Sequence, residues 1–381
     1  MIVQFSISII LVACTLVVRN QIHFMKNKDL GYNTEQIMTI RIRDENISHK
    51  IETLKRELQL HPNVNSVSCS AHLPNNIDWE LRIHYPGMPE EDITLMNFTV
   101  VDYDFVDLYG IKMAEGRNFS RDFGDDANGA FLLNESAVQL LGWEEPVGKE
   151  FDDWFVNRSG FHTAKIVGVV KDFHNLSLHK KIEPLYIYLP PENTDYENSR
   201  LFFHGNLSVK IKLDHIPETI SYLEEQMKKF SPEYSFEYQF FDEIFDQAYH
   251  AEKRAQQMFS TFAMIAILIA CFGLFGLTAF STEQRTKEIG VRKVLGATVP
   301  NIVGLLTWEF MRCILVANTI AIPVSYFAMQ KWLQDFAYRV DIGMWIFILS
   351  AVLALVIAVI TMSYQAIKAA LANPGDSLRY E

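Results

Sequence analysis

Cysteine is scarce in this chain of 381 residues: of four, Cys14, Cys271 and Cys313 lie in apolar runs and Cys69 stands alone elsewhere. No disulfide framework can be built from such a set. Cationic charge is also short, with 34 Lys and Arg against 46 Asp and Glu and a net charge of −12 at pH 7. No basic stripe exists to neutralise phosphates, which excludes nucleic acid as a partner. The patterns of catalysis are missing as well. The eleven His form no His-Glu-x-x-His and no Cys/His ligand spacing, so His174 and His179 are expected at the surface rather than on a metal. Gly142-Trp-Glu-Glu-Pro-Val-Gly148-Lys149-Glu150 has one residue too many between its glycines for a phosphate loop, and no Ser or Thr follows Lys149. No Gly-x-Ser-x-Gly elbow occurs. The expectation is a chain with no catalytic residue, no cofactor and no metal.

Hydrophobic residues make up 49% of the chain and are concentrated in four runs, Ile2 to Val18, Met258 to Phe280, Cys313 to Met329 and Ile342 to Met362. Each is about long enough to cross roughly 30 Å of hydrocarbon at about 1.5 Å per residue, which marks a membrane protein. The first run has no basic region before it and no clear cleavage site after it. It is expected to be a retained membrane helix whose upstream residues are missing or belong to a longer parent. Polar residues within the runs are uncharged and include Thr261, Thr278, Asn318 and Ser350, with Glu309 and Arg312 near the start of the third. Such runs offer no ionisable path for a solute. Small residues recur as Ala266 with Ala270, Gly273 with Gly276 and Ala354 with Ala358, either for close helix packing or as ordinary members of apolar helices.

Residues 1–257 carry 25 Lys and Arg against 39 Asp and Glu, whereas residues 258–381 carry 9 against 7. An acidic outer block is joined to a slightly basic membrane part. The loop between the second and third runs holds Arg285, Lys287, Arg292 and Lys293, so it is expected in the cytoplasm with both termini, and residues 19–257 outside. In the outer block Ile37 to Ile42 and Val64 to Ala71 alternate as strands around a helix at Ser48 to Leu60. Ala164 to Val170, Leu207 to Leu213 and Phe236 to Phe241 read as further strands and Pro217 to Phe230 as a helix. Two β/α halves predict a ferredoxin-like βαβ core over 19–241 with an inserted lobe at about 97–161. The lobe is expected to hold helices near Asp104 to Tyr109 and Glu135 to Leu141. From Asp242 neither Pro nor Gly appears before Gly273, which predicts a helical stalk over 242–257 running into the second span; a broken linker helix is the alternative.

A dense charged segment, Ser281 to Thr298, lies between the second and third apolar runs. As a helix it pairs Glu283 with Lys287 and Glu288 with Arg292, acid first, while Val291, Val294 and Leu295 line one face. Such a segment either docks a partner or merely fixes topology. Gly290 and Gly296 each cost about 1 kcal/mol in a helix interior, which hints at close backbone approach or a break.

Glu283 to Ala297 resembles the cytoplasmic signature of FtsX-like and MacB-like permeases of ABC transporters. The resemblance extends to Gly116-Arg117-x-Phe119, Leu133-Asn134-Glu135, Pro146-Val-Gly148-Lys149, Ile166 to Val170 with Lys171-Asp172-Phe173, and the tail Asn373-Pro374 to Leu378-Arg379. It implies a multi-pass α-helical membrane protein with four transmembrane helices and an α+β extracytoplasmic domain, in the bacterial inner membrane. Its spans are expected at 1–18, 258–280, 301–329 and 342–362, with a coupling segment at 281–300, a periplasmic loop at 330–341 and a cytoplasmic tail at 363–381. It further implies that Glu288, Ile289, Gly290, Val291, Arg292, Lys293, Leu295, Gly296 and Ala297 rest on a cytoplasmic ABC ATPase. Membrane lipid, a second copy or second permease module, and a periplasmic adaptor or substrate protein complete the implied partners. Relatives with two modules in tandem are common, so this chain is expected to be a second module or a truncated one. The function implied is mechanotransmission to a periplasmic domain for export or extraction of a substrate. The rival is a regulatory scaffold of the division-linked FtsX type that activates a periplasmic partner.

Overall fold

The computed structural model describes residues 1–44, 47, 50–84, 94–153, 164–191, 205–285, 288–289, 291–292 and 295–371. The chain divides into two units, Met1–Asn27 with His250–Glu381, and Lys28–Tyr249.

The first unit is helical, with α1 at Ile2–Asn27. The second unit opens with β1 at Ile37–Arg41, α2 at Ile51–Gln59 and β2 at Val64–Ser70. It continues through β3 at Glu80–His84, β4 at Thr94–Val100, α3 at Phe105–Tyr109 and β5 at Met113–Gly116. Next come β6 at Ala130–Asn134, α4 at Glu135–Leu141, β7 at Glu150–Asp153, β8 at Ala164–Val170 and β9 at Leu185–Leu189. It closes with β10 at Asn206–Ile211, α5 at Ile216–Phe230, β11 at Tyr238–Phe240 and α6 at Phe241–Ala248. The helical unit resumes with α7 at His250–Gln284, α8 at Val299–Leu333 and α9 at Met344–Leu371.

Strands β11, β1, β10 and β2 form one sheet in that order, each antiparallel to its neighbour. Alternation along the strands puts Met38, Ile40, Leu207 and Val209 on one face, where Leu54 and Leu58 of α2 and Leu223 of α5 cover them. Each such side chain, fully buried, contributes about 1.5–3 kcal/mol. The other face carries buried hydroxyls instead. Thr39, Ser68, Ser70 and Ser208 are all shielded from solvent, and the Tyr109 hydroxyl hydrogen-bonds Ser208 at 2.7 Å.

The second sheet has seven strands in the order β5, β8, β6, β9, β4, β3, β7, and β7 returns to pair with β8. Six strands therefore close on themselves around Phe98, Phe131, Ile166, Tyr186 and Tyr188. Phe131 stacks on Tyr188 at 4.8 Å and Phe98 on Tyr186 at 5.6 Å between ring centroids. This closed sheet draws its strands from Glu80 to Leu189, wider than the lobe expected at about 97–161. Ala164–Val170, expected in the first sheet, belongs to the closed one, because its parallel pairing with β6 completes the ring.

The turns that carry the resemblance act as clamps on this sheet. Asn134 caps α4 by accepting from the Ala137 N–H at 2.9 Å and also accepts from the Leu185 N–H at 2.9 Å. Asp172 accepts from both the Ser136 N–H and hydroxyl, at 2.9 and 2.6 Å. Arg117 grips the buried Asp126 with both terminal nitrogens, at 2.6 and 2.7 Å. His174 is buried rather than at the surface, and that burial pushes its pKa down to about 4.

Among the described residues of the helical unit, four helices are long and apolar enough to cross a membrane: Ile2–Asn27, His250–Gln284, and the stretches Phe310–Leu333 of α8 and Met344–Tyr364 of α9. Their core joins Phe5 and Ile9 to Ala270, Leu274, Ile314, Ala317, Ala321, Ala358 and Met362, and its alanines let the helices approach closely. Gly273 faces Gln4 of α1, whereas Gly276 faces open space. The expected unbroken helix from Asp242 is two helices, α6 and α7, parted at Tyr249 with φ −112° and ψ 21°. Tyr249 is held out of the helix because its buried hydroxyl accepts the Leu178 N–H at 3.1 Å.

Candidate functional site

Helical backbone persists beyond α7, with the Arg285 N–H bonded to the Ser281 carbonyl at 3.2 Å and Ile289 to Arg285 at 2.9 Å. Glu288 and Arg292 form the expected pair at 2.7 Å. Both are roughly half exposed, so the pair orders the surface and adds little stability. Ile289 is buried, whereas Val291 and Leu295 are exposed, Leu295 at 81%. Four residues apart on a helical turn, these two present an apolar stripe outward. Gly290, Lys293 and Val294 lie outside the described residues, as does Lys287, the expected partner of Glu283.

Gly296 ends the segment. Its φ is +92°, and the Ala297 N–H reaches back five residues to the Arg292 carbonyl at 2.9 Å, the hydrogen bond of a Schellman stop. A Cβ at Gly296 would meet nothing within 4 Å. Its reason is therefore backbone conformation, and the expectation of a close approach does not hold within the chain. Thr298, extended at φ −77° and ψ 155°, then opens α8, where Pro lies in the first turn.

A clamp fixes which end of the bundle this segment occupies. Gln21, fully buried near the end of α1, donates to the Tyr338 carbonyl and accepts from the Val340 N–H, each at 2.9 Å. The end of α1 and the α8–α9 loop thus sit together. Residues 295–298, which lead into α8, lie at its opposite end, about 50 Å away for 35 residues.

The soluble unit holds a second concentration of charge that its sequence did not announce. Lys55 of α2, with a side chain only 3% exposed, bonds Asp102 at 2.5 Å, Asp104 at 2.8 Å and Glu52 at 3.3 Å. Asp102 also accepts the Ser68 hydroxyl and the Cys69 N–H, both at 2.7 Å. Burial works against the charge on Lys55, but Asp102 and Glu52 overcome it and lift its pKa above the ordinary value. Arg121 adds longer contacts to Glu52 and Asp104 and lies over the Tyr103 ring. A lysine on the apolar side of α2, between Leu54 and Leu58, was the available signal. Among the described residues no group of three or more His, Cys, Asp or Glu is placed to hold a metal.

Residues 260–374 match the family described as FtsX-like permease C-terminal. The chain is 26% identical over 239 residues to the macrolide export ATP-binding/permease protein MacB of Aggregatibacter actinomycetemcomitans, covering 62% of this chain and 36% of that protein. It is 30% identical over 125 residues to the uncharacterized ABC transporter permease YknZ of Bacillus subtilis, covering 31% of this chain and 30% of that one. The chain spans about a third of the length of these curated relatives. Among solved structures, the periplasmic region of MacB from Actinobacillus actinomycetemcomitans aligns with 57% of this chain and 94% of its own, at 19% identity and a TM-score of 0.39. Residues 260–374 are thus similar to the FtsX-like permease C-terminal family, and the chain that carries them is similar to MacB-type export proteins.

Proposed function

We propose that this chain is a permease component of an ABC transporter, itself non-catalytic, that transmits conformational change from a cytoplasmic ATPase to its own periplasmic domain for export or extraction of a substrate. The observation that carries the reading is the exposed stripe of Val291 and Leu295 at the end of the bundle away from the one where α1 hands over to the soluble unit. In a bilayer those ends face opposite sides, so one contacts a cytoplasmic protein while the other addresses the periplasm. Basic residues in the segment favour the cytoplasmic side, with both termini there and the large domain in the periplasm of the inner membrane. The ATPase-docking residues are Glu288, Ile289, Gly290, Val291, Arg292, Lys293, Leu295, Gly296 and Ala297. The strand order of the four-stranded sheet supports a ferredoxin-like split βαβ core in the periplasmic domain. The apolar walls of the spans, with hydroxyls bonded back to their own helices, suit a lever better than a solute path.

Leu295 is so exposed that Leu295→Glu leaves the fold intact. In membranes containing the full chain and a co-purified ABC ATPase, this variant is expected to lower both ATPase recovery and chain-stimulated ATP hydrolysis by about tenfold, the worth of about 1.4 kcal/mol of lost contact. Wild-type recovery and turnover would sink the coupling role.

A further inference from the structure

A cavity of about 900 Å³ opens within the soluble unit, between the turn after β2, the segment around Leu176 to Lys180, and α6. It is of the size that takes drug-like ligands. Its charge runs against its surroundings. Residues 28–249 carry 21 Lys and Arg against 38 Asp and Glu, yet the cavity wall offers Arg41 and Lys180 against the single acid Asp78. Its body is apolar and aromatic, with Trp79 42% exposed beside Phe245 and Tyr249. Asn75, also on the wall, has an Oδ1 that is turned away from the cavity, buried, and accepts no hydrogen bond among the described residues. A buried acceptor without a donor costs about 1–3 kcal/mol, which a turn of this side chain toward a ligand N–H would recover.

We propose that this cavity is a binding site for a ligand with an apolar body, an amide N–H and a free carboxylate, the chemistry of an N-acyl amino acid or of the carboxyl end of an apolar peptide. The carboxylate meets Arg41 and Lys180, where charge-assisted hydrogen bonds are strongest. The amide N–H satisfies Asn75 Oδ1, and the apolar body lies on Trp79 and Phe245. Two of the wall residues, Ala248 and Tyr249, are the last before α7, so occupancy bears directly on the junction that leads into a spanning helix. The site lies wholly in residues 28–249 and does not depend on the coupling role of the segment at 281–298.

The test is photolabelling of the full chain in lipid nanodiscs with N-lauroyl-leucine carrying a diazirine on the acyl chain, read by mass spectrometry of labelled peptides. Labelling of residues 71–79 and 244–249 is expected to be about tenfold stronger than with the methyl ester of the same probe, which lacks the anion. Replacing Arg41 and Lys180 together by Gln is expected to abolish that preference, while Asn75→Leu removes the preference over diazirine-bearing laurate, which lacks the amide. Label in the spanning helices, where the probes partition through lipid, is expected to stay the same throughout, and an unchanged urea-unfolding midpoint of the unit at residues 28–249 shows that each variant has folded. Competition by unlabelled N-lauroyl-leucine alone assigns the acyl source, and competition also by the peptide Leu-Leu-Phe assigns the peptide source. Equal labelling by acid and ester, or label confined to the spanning helices, overturns the proposal.

Discussion

At the scale of single residues, the soluble unit depends on a cation that ought not to be buried. Lys55 belongs by position to the apolar side of α2, and it is tolerated only because three carboxylates surround its ammonium group. Asp102 is in turn tied to β2 through Ser68 and Cys69, so one ion links a helix, a strand and the turn before α3. Burial pushes the Asp102 carboxyl up while Lys55 and the two β2 donors pull it down. Lys55→Met keeps the volume and removes the charge. It is expected to cost about 3–5 kcal/mol, because Asp102, with a side chain 14% exposed, then loses its counter-ion in a largely buried place. Urea unfolding of the wild type and variant, followed by a probe in the soluble unit, measures this. A loss under about 1 kcal/mol would show that Asp102 is readily neutralised and that the cluster contributes little.

At the scale of elements, the Schellman stop at Gly296 decides where Leu295 ends up. A side chain there must adopt φ near +92°, which costs about 1 kcal/mol, or unwind the stop and move Leu295. Gly296→Ala is therefore expected to reduce chain-stimulated ATP hydrolysis several-fold. Gly304→Ala in α8, also facing open space but without a positive φ, is expected to leave it unchanged. Equal effects of the two substitutions would remove the stop from the mechanism.

The same scale shows what the sequence made legible. Helix α4 and strand β8 lie where their periodicity placed them, and β1, α2, β2, β10 and α5 match within about three residues, because alternation and helical spacing are local properties. Strand partnership is not local. β4 runs parallel to β9 across almost ninety residues, and β8 sits between β6 on one side and β5 with β7 on the other, which no pattern along β8 discloses. The break at Tyr249 was hidden for the same reason. It carries no Pro or Gly, and its cause is a hydroxyl held by a backbone N–H more than seventy residues away. In the segment 281–298, the Glu288–Arg292 pair and the shared side of Val291 and Leu295 followed from spacing, whereas the role of Gly296 needed its φ.

At the scale of the whole molecule, the four apolar helices and the Gln21 clamp make orientation directly measurable. The native cysteines give little background for a water-soluble reagent, since Cys14 is buried, Cys271 and Cys313 lie within the apolar helices, and burial pushes the Cys69 thiol up to about 12. Leu60 and Leu295, both strongly exposed, serve as sites for added cysteines. In cells with a permeabilised outer envelope, Leu60→Cys is expected to react with a membrane-impermeant maleimide, and Leu295→Cys only after the inner membrane is broken. The reverse pattern would turn the proposed topology inside out.

The strand order of the four-stranded sheet also governs how the chain matures. β1 and β2 are made first, yet they are not neighbours: β10 lies between them and is made more than 130 residues later. Until β10 arrives, both early strands carry open edges and an uncovered apolar face, the condition under which strands pair with the wrong chain. Biogenesis of the soluble unit is thus a waiting problem. The closed sheet, complete once β9 has emerged, is able to fold first, and delivery of residues 206–240 is the step that seals the earliest part of the domain.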